Sequence, residues 1–261
     1  MRLGYRRPPK PFDANENLIE HSLIIPAYNE EALLPRLLDS VDAARARYDG
    51  GPETIEVIVA DNASVDATAA IASDRGCRVV RVEKRLIAAA RNGGAAIARG
   101  NVLSFVDADS RIHPETFNAI DRALARPNVI AGATGVRLER WSLGIALTYL
   151  AIVPLAVLTR MDTGVVFCRR RDFETIGGYD ERRQFGEDVA FLFALRKLGR
   201  PHGQRLTRIT HVKATASMRK FDRFGDWHYF TQMFRLAPLL LRKPEARDEF
   251  AQRYWYGSDS R

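Results

Sequence analysis

The chain has 261 residues, 46% hydrophobic and 28% charged, a globular balance that excludes a wholly disordered or collagen-like protein. That length suffices for one large α/β domain or two small ones with a substantial core. Forty Lys and Arg against 32 Asp and Glu leave a net charge of +8, which suits anionic lipid, nucleic acid or phosphate-bearing substrates without choosing among them. The two cysteines, Cys77 and Cys168, cannot form a disulfide framework and indicate a reducing, cytoplasmic setting.

Residues 1–20 are basic and Pro-containing, without the apolar stretch of a secretory signal, and predict a flexible leader. Strand and helix patterns then alternate. The predicted strands are Ser22–Ile25, Ile55–Ala60, Val79–Val82, Asn101–Val106 and Asn128–Val136. The predicted helices are Glu31–Arg47, Ser64–Arg75, Leu86–Arg99, Pro114–Arg126 and, further along, a largely buried Val189–Leu198.

This alternation predicts an α/β fold with a Rossmann-like, mostly parallel sheet and helices on both faces. We expect one domain over residues 21–225. An aromatic and basic C-terminal helical extension, 226–261, would follow it and either pack on the domain or lie on a membrane surface.

The segment Trp141–Thr159 is uncharged and about 19 residues long, near the minimum for a membrane span. Its flanking segments belong to one predicted domain, which favours a buried or interfacial helix over a span. Because Arg137, Arg140 and Arg160 lie at its ends, a peripheral membrane contact stays open.

Ligands of parallel α/β sheets bind beyond the carboxyl ends of the strands, so the loops Pro26–Glu30, Asp61–Asp66 and Asp107–Ser110 should converge on one site. Asp107 and Asp109 could both reach one Mg²⁺ or Mn²⁺ and leave positions free for phosphate oxygens. The alternative for this pair is a helix-capping Asp with a solvated neighbour.

The other two loops offer polar and aromatic groups. Tyr28 can stack on a planar ring, and Asn29 can cap the next helix. Asp61 could accept the imide N–H of a uracil while Ser64 caps the following helix. For Asp66 we prefer a structural explanation, since a negative charge is favourable in a first helical turn.

Two further motifs have both a structural and a functional interpretation. Gly93 and Gly94 inside a predicted helix cost about 1 kcal/mol each, which close packing on the sheet could offset, and nearby Arg91 could bind a phosphate. Glu187 and Asp188 begin another helix, where the helix dipole favours acids in any protein. The alternative is a general base that takes a proton from an acceptor hydroxyl.

Six motifs in order (SLIIPAYNEE, EVIVADNASVDATAAIA, ARNGGAAIARG, VLSFVDADS, IGGYDE and GEDVAFLFALRKLGR) resemble the family 2 nucleotide-sugar glycosyltransferases of GT-A fold over roughly residues 22–200. The resemblance implies metal-dependent transfer of a sugar from a nucleotide diphosphate donor, usually UDP-linked, to an acceptor hydroxyl, commonly with inversion. The cofactor would be Mg²⁺ or Mn²⁺.

The resemblance also implies roles by position. Asp109 and Asp107 would hold the metal, Asp188 would be the base and Glu187 would support it. The substrate-binding residues would be Pro26, Tyr28, Glu30, Asp61, Arg91, Asp107, Gly164 and Arg219. Of these, the residues that would line the nucleoside pocket are Pro26, Tyr28, Glu30 and Asp61, with Arg91 near it. Gly164 would pass under the acceptor, and Arg219, with Lys220, would contact the phosphates. His211 would be a further metal ligand or a structural residue.

The sequence departs from some relatives. It has Ala60-Asp61 where many carry two acids, and it lacks the Gln-x-x-Arg-Trp signature of processive synthases, which favours transfer of single sugars. A non-catalytic nucleotide-sugar or lipid-binding module and a sugar nucleotidyltransferase stay open, although PAYNEE is not the Gly-rich basic loop of the latter. No groove-reading motif predicts nucleic-acid binding. A lipid-linked acceptor, a homodimer and a location at the inner face of the membrane also stay open.

Overall fold

The structure, a computed structural model, describes residues 19–147, 150, 162, 164–183 and 186–227. Within these ranges seven strands form one sheet in the order β3-β2-β1-β4-β6-β5-β7. The strands are β1 (His21–Ala27), β2 (Ile55–Asp61), β3 (Arg78–Arg81), β4 (Val102–Phe105), β5 (Val129–Leu138), β6 (Val166–Arg169) and β7 (Arg205–Ala216). The predicted leader and most of the predicted C-terminal extension lie outside the described residues.

The helices are α1 (Leu34–Ala46), α2 (Thr68–Asp74), α3 (Ile87–Ile97), α4 (Thr116–Leu124), α5 (Arg170–Ile176), α6 (Glu187–Gly199) and α7 (Arg219–Phe224). The predicted alternation is therefore confirmed, although the first four helices begin later than the sequence pattern indicates. Short 3₁₀ turns at Pro52–Thr54 and Arg200–His202 complete the regular structure, with helical backbone at 143–147.

Strand β6 is the one element of the sheet that runs against the others. It pairs antiparallel with β4, where Phe105 lies opposite Val166, and with β5, where Ala133 lies opposite Val166. The chain enters β6 at the carboxyl edge of its neighbours, so the residues that precede Val166 lie among the loops of that edge. The alternating pattern did not predict this strand or α5.

Strand β1 continues through Pro26, where the sequence indicated its end. Pro26 pairs with Ala60 of β2, whereas pairing with β4 stops at Ile24 opposite Phe105. A proline lacks the N–H that a ladder needs, and here β4 has already ended on that side.

Helices cover both faces of the sheet, as predicted. One core contains Leu34, Leu37 and Leu38 of α1 with Phe117 and Ile120 of α4. The other contains Ala88 and Ala95 of α3 with Phe191, Leu192 and Leu195 of α6.

The two glycines of α3 allow that helix to approach the sheet closely. A Cβ at Gly94 would lie 2.5 Å from Cγ2 of Ile24, and one at Gly93 would lie 2.6 Å from Cγ2 of Val82. Close packing therefore offsets the cost of about 1 kcal/mol that a helical glycine carries.

Helix α6 is less buried than predicted. Val189 and Phe193 are exposed, while Phe191, Leu192 and Leu195 are buried. The helix therefore has one core face and one accessible face.

Of the predicted helix Trp141–Thr159, residues 148–149 and 151–159 lie outside the described residues. Ile145 is buried in a small cluster with Leu138, Met218 and Phe221. Trp141, Leu143 and Leu150 are exposed. Among the described residues no helix has the length and apolar character to cross a bilayer.

Candidate active site

The first two acidic loops meet, as the parallel sheet predicts. The backbone N–H of Asn29 donates to Ser64 Oγ at 3.0 Å, and Asn29 Oδ1 accepts from the N–H of Val65 at 2.9 Å. Asn29 and Ala63 both have positive φ, 51° and 61°. Asparagine tolerates this left-handed conformation well, while Ala63 holds it at some cost in strain.

This geometry corrects two predicted caps. Ser64 does not cap α2, which begins four residues later, because its hydroxyl binds Asn29. Asn29 likewise binds Val65 rather than α1. Asp66 instead accepts the Thr68 N–H at 2.9 Å, which agrees with the structural role preferred for it. Burial alone would raise the pKa of Asp66, but hydrogen bonds from Thr68 and Glu31 lower it below its ordinary value.

Asp61 lies beneath these loops with only 1% of its side chain exposed. Its Oδ1 accepts the Ser64 N–H at 3.1 Å, and its Oδ2 lies 3.3 Å from Arg81 Nη1. The carboxylate thus orders the loop that follows β2. A uracil could reach it only if Arg81 moved, so its contact with a base stays a prediction.

Tyr28 lies at the same edge with the guanidinium of Arg85 over its ring, 5.1 Å from the centroid. An aromatic face with a cation above it is a surface on which a planar base can stack. Pro26 lies in β1 directly before this loop. No motif in the sequence indicated a role for Arg85, which precedes α3.

Glu30 and Arg219 form an ion pair that joins the first loop to α7. Arg219 Nη1 and Nη2 bind the two Glu30 oxygens at 3.0 and 2.7 Å, and Nη2 lies 3.8 Å from Asp109 Oδ2. Burial raises the pKa of Glu30; Arg219 opposes this, while Asp109 and Asp107 add to it. Residues predicted to bind the nucleoside, the phosphates and the metal therefore meet at one place. We call it the acidic corner; it is formed by Glu30, Asp107 and Asp109 beside Arg219.

Arg91 lies at the centre of a second cluster, with only 3% of its side chain exposed. Its Nη2 donates to Asp107 Oδ1 at 3.0 Å, and its Nη1 donates to Glu187 Oε1 at 3.0 Å and to Asp188 Oδ1 at 2.6 Å. Its guanidinium also lies 5.0 Å from the ring centroid of Tyr179. The structure places Arg91 between the two acidic motifs, and its predicted place near the nucleoside pocket stays a prediction.

Asp188 and Tyr179 complete that cluster. The Tyr179 hydroxyl donates to Asp188 Oδ1 at 3.2 Å, and its ring stacks on Phe191 at 4.1 Å. Burial raises the pKa of Asp188, and nearby Glu187 adds to the effect while Arg91 opposes it. A half-buried carboxylate with a raised pKa at a helix start is suited to take up a proton. The motif IGGYDE contained Tyr179, but nothing in the sequence indicated its contact with Asp188.

The residues at the carboxyl end of β4 fit a divalent cation. Asp107 is 52% exposed and binds Arg91 through Oδ1, so that Oδ2 takes no part in this hydrogen bond. Asp109 is 23% exposed. Mg²⁺ and Mn²⁺ are commonly held by one or two carboxylates, with phosphate oxygens and water completing the shell. No group of three or more metal-ligating side chains occurs within the described residues.

Three other predicted residues lie as follows. A Cβ at Gly164 would be 2.4 Å from Thr134 Oγ1, so the close approach that this glycine permits is to β5. His211 is exposed on β7, at a bulge between the pairs Thr134–Ile209 and Gly135–Lys213. The side chain of Lys220 lies outside the described residues.

The fold and the acidic loops at its carboxyl edge define the GT-A class. Residues 22–144, just under half of the chain, match the family model Glycosyl transferase family 2. This stretch of the chain is therefore similar to the family 2 glycosyltransferases.

Curated proteins of similar sequence are also named glycosyltransferases. Dolichyl-phosphate beta-glucosyltransferase of Drosophila melanogaster is 37% identical over 116 residues, 41% of this chain and 36% of that protein. The chain spans between 24% and 36% of the length of the curated relatives it matches.

Solved structures share the fold. A mannosyltransferase of Pyrobaculum calidifontis, in complex with GDP-Man and Mn²⁺, has a TM-score of 0.62 at 21% identity over 95% of this chain and 73% of its own. Glucosyl-3-phosphoglycerate synthase of Mycobacterium tuberculosis, with Mn²⁺ and UDP-glucose, has a TM-score of 0.59 at 20% identity over 79% and 74%.

Proposed function

We propose that this protein transfers a sugar from a nucleotide diphosphate donor, a UDP-sugar in the first instance, to an acceptor hydroxyl. The reaction depends on Mg²⁺ or Mn²⁺, inverts the anomeric carbon and adds single sugars. The observation that carries the proposal is the bridge that Arg91 makes between Asp107, on the metal side, and Asp188, on the base side.

Asp188 takes the proton from the acceptor hydroxyl in this proposal. The acceptor oxygen then attacks the anomeric carbon while the bond from that carbon to the diphosphate oxygen breaks, and the electron pair leaves with the nucleoside diphosphate. Tyr179 and Arg91 hold Asp188 in place through the contacts described above. When bound at Asp107 and Asp109, a divalent cation would neutralise the negative charge that develops on the leaving diphosphate.

Donor binding would use the first acidic corner. The ring of Tyr28 offers a stacking surface for the base, and Arg219 lies where it can turn from Glu30 toward a diphosphate. The solved relatives include both a UDP-sugar and a GDP-sugar complex, so the choice of nucleotide is itself part of the test.

The first prediction concerns the metal. We expect release of UDP or GDP from a panel of nucleotide sugars only when Mg²⁺ or Mn²⁺ is present, since the carboxylates of Asp107 and Asp109 would repel a diphosphate unless a divalent cation lay between them. Asp109→Ala should abolish this release, measured by a coupled nucleotide assay. Asp74→Ala, at the end of α2 away from the acidic corner, is the matched control and should retain the parental rate.

Other outcomes of the same assay identify the alternatives. Pyrophosphate formed from UTP and a sugar phosphate would show a nucleotidyltransferase. A metal-dependent thermal shift with UDP, without turnover on any acceptor, would show a non-catalytic binding module. Metal-independent sugar transfer at an undiminished rate in Asp109→Ala would contradict the proposed metal site.

A second proposal concerns membrane contact at the inner face of a cytoplasmic membrane. Trp141, Leu143 and Leu150 are 60%, 70% and 70% exposed, and Trp227 at 47% lies beside them, since a Cβ at Gly144 would be 3.1 Å from its ring. Exposed aromatic and aliphatic side chains grouped in this way are typical of interfacial contact.

The corresponding prediction is a loss of vesicle binding. The double variant Trp141→Ser, Leu143→Ser should bind anionic vesicles at least about 100-fold more weakly than the parent in a flotation assay, because burial of two large apolar side chains contributes about 3–6 kcal/mol of transfer free energy. Phe193→Ser, which changes an exposed aromatic on α6, should float like the parent. Equal flotation of all three proteins would contradict membrane contact at this surface.

A further inference from the structure

We propose that the acceptor carries an anionic group and that a basic patch on β5 and β7, formed by Arg137, Arg208 and Lys213, binds it. This inference rests on the proposed function and names the substrate class for the acceptor side of the same site.

The three basic residues lie on one face of the sheet. Arg208 is paired with Ala133 and Lys213 with Gly135. Alternate residues of a strand point to the same face, so Ala133, Gly135 and Arg137 share it with their partners on β7. The hydrogen bond from Arg137 Nη2 to Thr215 Oγ1, at 3.4 Å, agrees with this.

That face is the one covered by α6, which begins with the proposed base. Ala133 belongs to the same core as Leu192 of α6. At the other end of α6, a Cβ at Gly199 would lie 3.0 Å from Ile130, near the start of β5. The helix has 13 residues, which corresponds to about 18 Å, or between five and six residues of a strand. Asp188 therefore lies at about the level of Gly135.

The charges around Gly135 favour an anion. A Cβ at Gly135 would lie 3.3 Å from Lys213 Cγ and 3.7 Å from Asp162 Oδ2. The absence of a side chain at Gly135 therefore leaves space between Lys213 and Asp162. Arg208 donates to Asp162 Oδ2 from Nε at 3.0 Å and from Nη2 at 2.6 Å. Lys213 is exposed and forms no ion pair with any described residue. Among the described residues around Gly135, the cations Arg208 and Lys213 therefore outnumber the carboxylate of Asp162, and phosphate or carboxylate groups suit such a patch.

The position of the patch sets the size of the acceptor. β7 lies three strands from β4 in the sheet, or about 14 Å at the usual strand spacing. The anionic group must therefore lie apart from the attacked hydroxyl. Both a phosphorylated sugar and a lipid-linked phosphate share this chemistry.

A binding measurement tests the patch without requiring turnover. UDP and Mn²⁺ at saturating concentrations would fill the donor site. Under these conditions we expect 4-methylumbelliferyl phosphate to bind the full chain, and fluorescence anisotropy of this probe measures its affinity. Lys213→Gln and Arg208→Gln should each weaken binding about 10-fold, since each removes a charged donor. Lys197→Gln, on α6, and Arg205→Gln, at the opposite end of β7, are matched controls that should bind like the parent.

Lys213→Gln keeps the test decisive even if the loss of Arg208 beside Asp162 impairs folding, because Lys213 is exposed. Absence of probe binding to the parent, or equal affinity in Lys213→Gln and Lys197→Gln, would overturn the inference. The failure of the proposed function is a separate result, namely no nucleotide release from any donor.

Turnover then distinguishes the two sources of the anion. Glycosides paired with their 6-phosphates should show a lower KM for the phosphorylated member, and Lys213→Gln should raise that KM about 10-fold with little change in kcat or in the donor KM. A polyprenyl phosphate in micelles, compared with the soluble sugar phosphate, identifies which source the patch prefers. Equal KM values for the neutral and anionic acceptors of both kinds would contradict the inference.

Discussion

Arg91→Met should lower the free energy of unfolding by about 3 kcal/mol, the lower end of the range for a broken buried pair, because it leaves the half-buried carboxylates of Glu187 and Asp188 beside each other without their cation. The remaining carboxylates would repel one another and pull the start of α6 away from the end of β4. The Arg91→Met variant should also lose sugar transfer, because Asp188 would no longer be held in place. Urea denaturation followed by circular dichroism measures the change in stability.

Arg75→Met is the matched control for this effect. Arg75 also pairs with two aspartates, Asp39 and Asp42 at 2.9 and 2.8 Å, but on the surface of the protein. Exposed pairs contribute about 0–1 kcal/mol. A loss of stability in Arg91→Met no greater than that in Arg75→Met would show that the buried cluster does not hold α6 to the sheet.

Asp188→Asn should reduce sugar transfer about 10²–10⁴-fold while donor binding stays at the parental level, since the change removes the proton acceptor but keeps the shape of the side chain. Burial already raises the pKa of Asp188, so its carboxylate has a strong tendency to take up a proton. Initial rates with a saturating acceptor, together with the dissociation constant for UDP, measure the two quantities.

Glu187→Gln separates the loss of a base from the loss of a charge. Glu187 also binds Arg91 Nη1, at 3.0 Å, so both variants remove one negative charge from the same guanidinium. We expect a much smaller decrease in rate for Glu187→Gln. Parental transfer in Asp188→Asn, or equal decreases in the two variants, would refute the assignment of the base.

The periodicity of the sequence was sufficient to predict the parallel part of the fold. Each of the five predicted strands occurs, because runs such as Ile55–Ala60 are buried on both faces and therefore apolar at every position but Glu56. The antiparallel β6 could not be predicted in the same way. Its four residues are too few for a period to show, and its direction depends on pairing with β4 and β5.

The site was predictable in its residue types but not in its contacts. The carboxyl ends of parallel strands meet, so convergence of the acidic loops followed from topology. The contact between Arg91 and Asp188, and that between Glu30 and Arg219, join residues far apart in the chain. Local patterns hold no information on such pairs.

Asp61 shows the same limit. Its predicted contact with a base stays a prediction, but its position after β2 did not show that the side chain is buried and bonded to the Ser64 N–H and to Arg81. Exposure at a strand end depends on how the neighbouring loop folds over it, and that fold depends on Asn29, Ala63 and their positive φ angles.

Diffraction from crystals soaked with Mn²⁺ and UDP tests the central claim most directly. We expect anomalous density for manganese against Asp109 and Asp107, with the diphosphate oxygens on the same ion and Arg219 turned from Glu30 toward the phosphates. A metal and nucleotide bound elsewhere, or an acidic corner that stays empty at saturating concentrations, would contradict this account of the site.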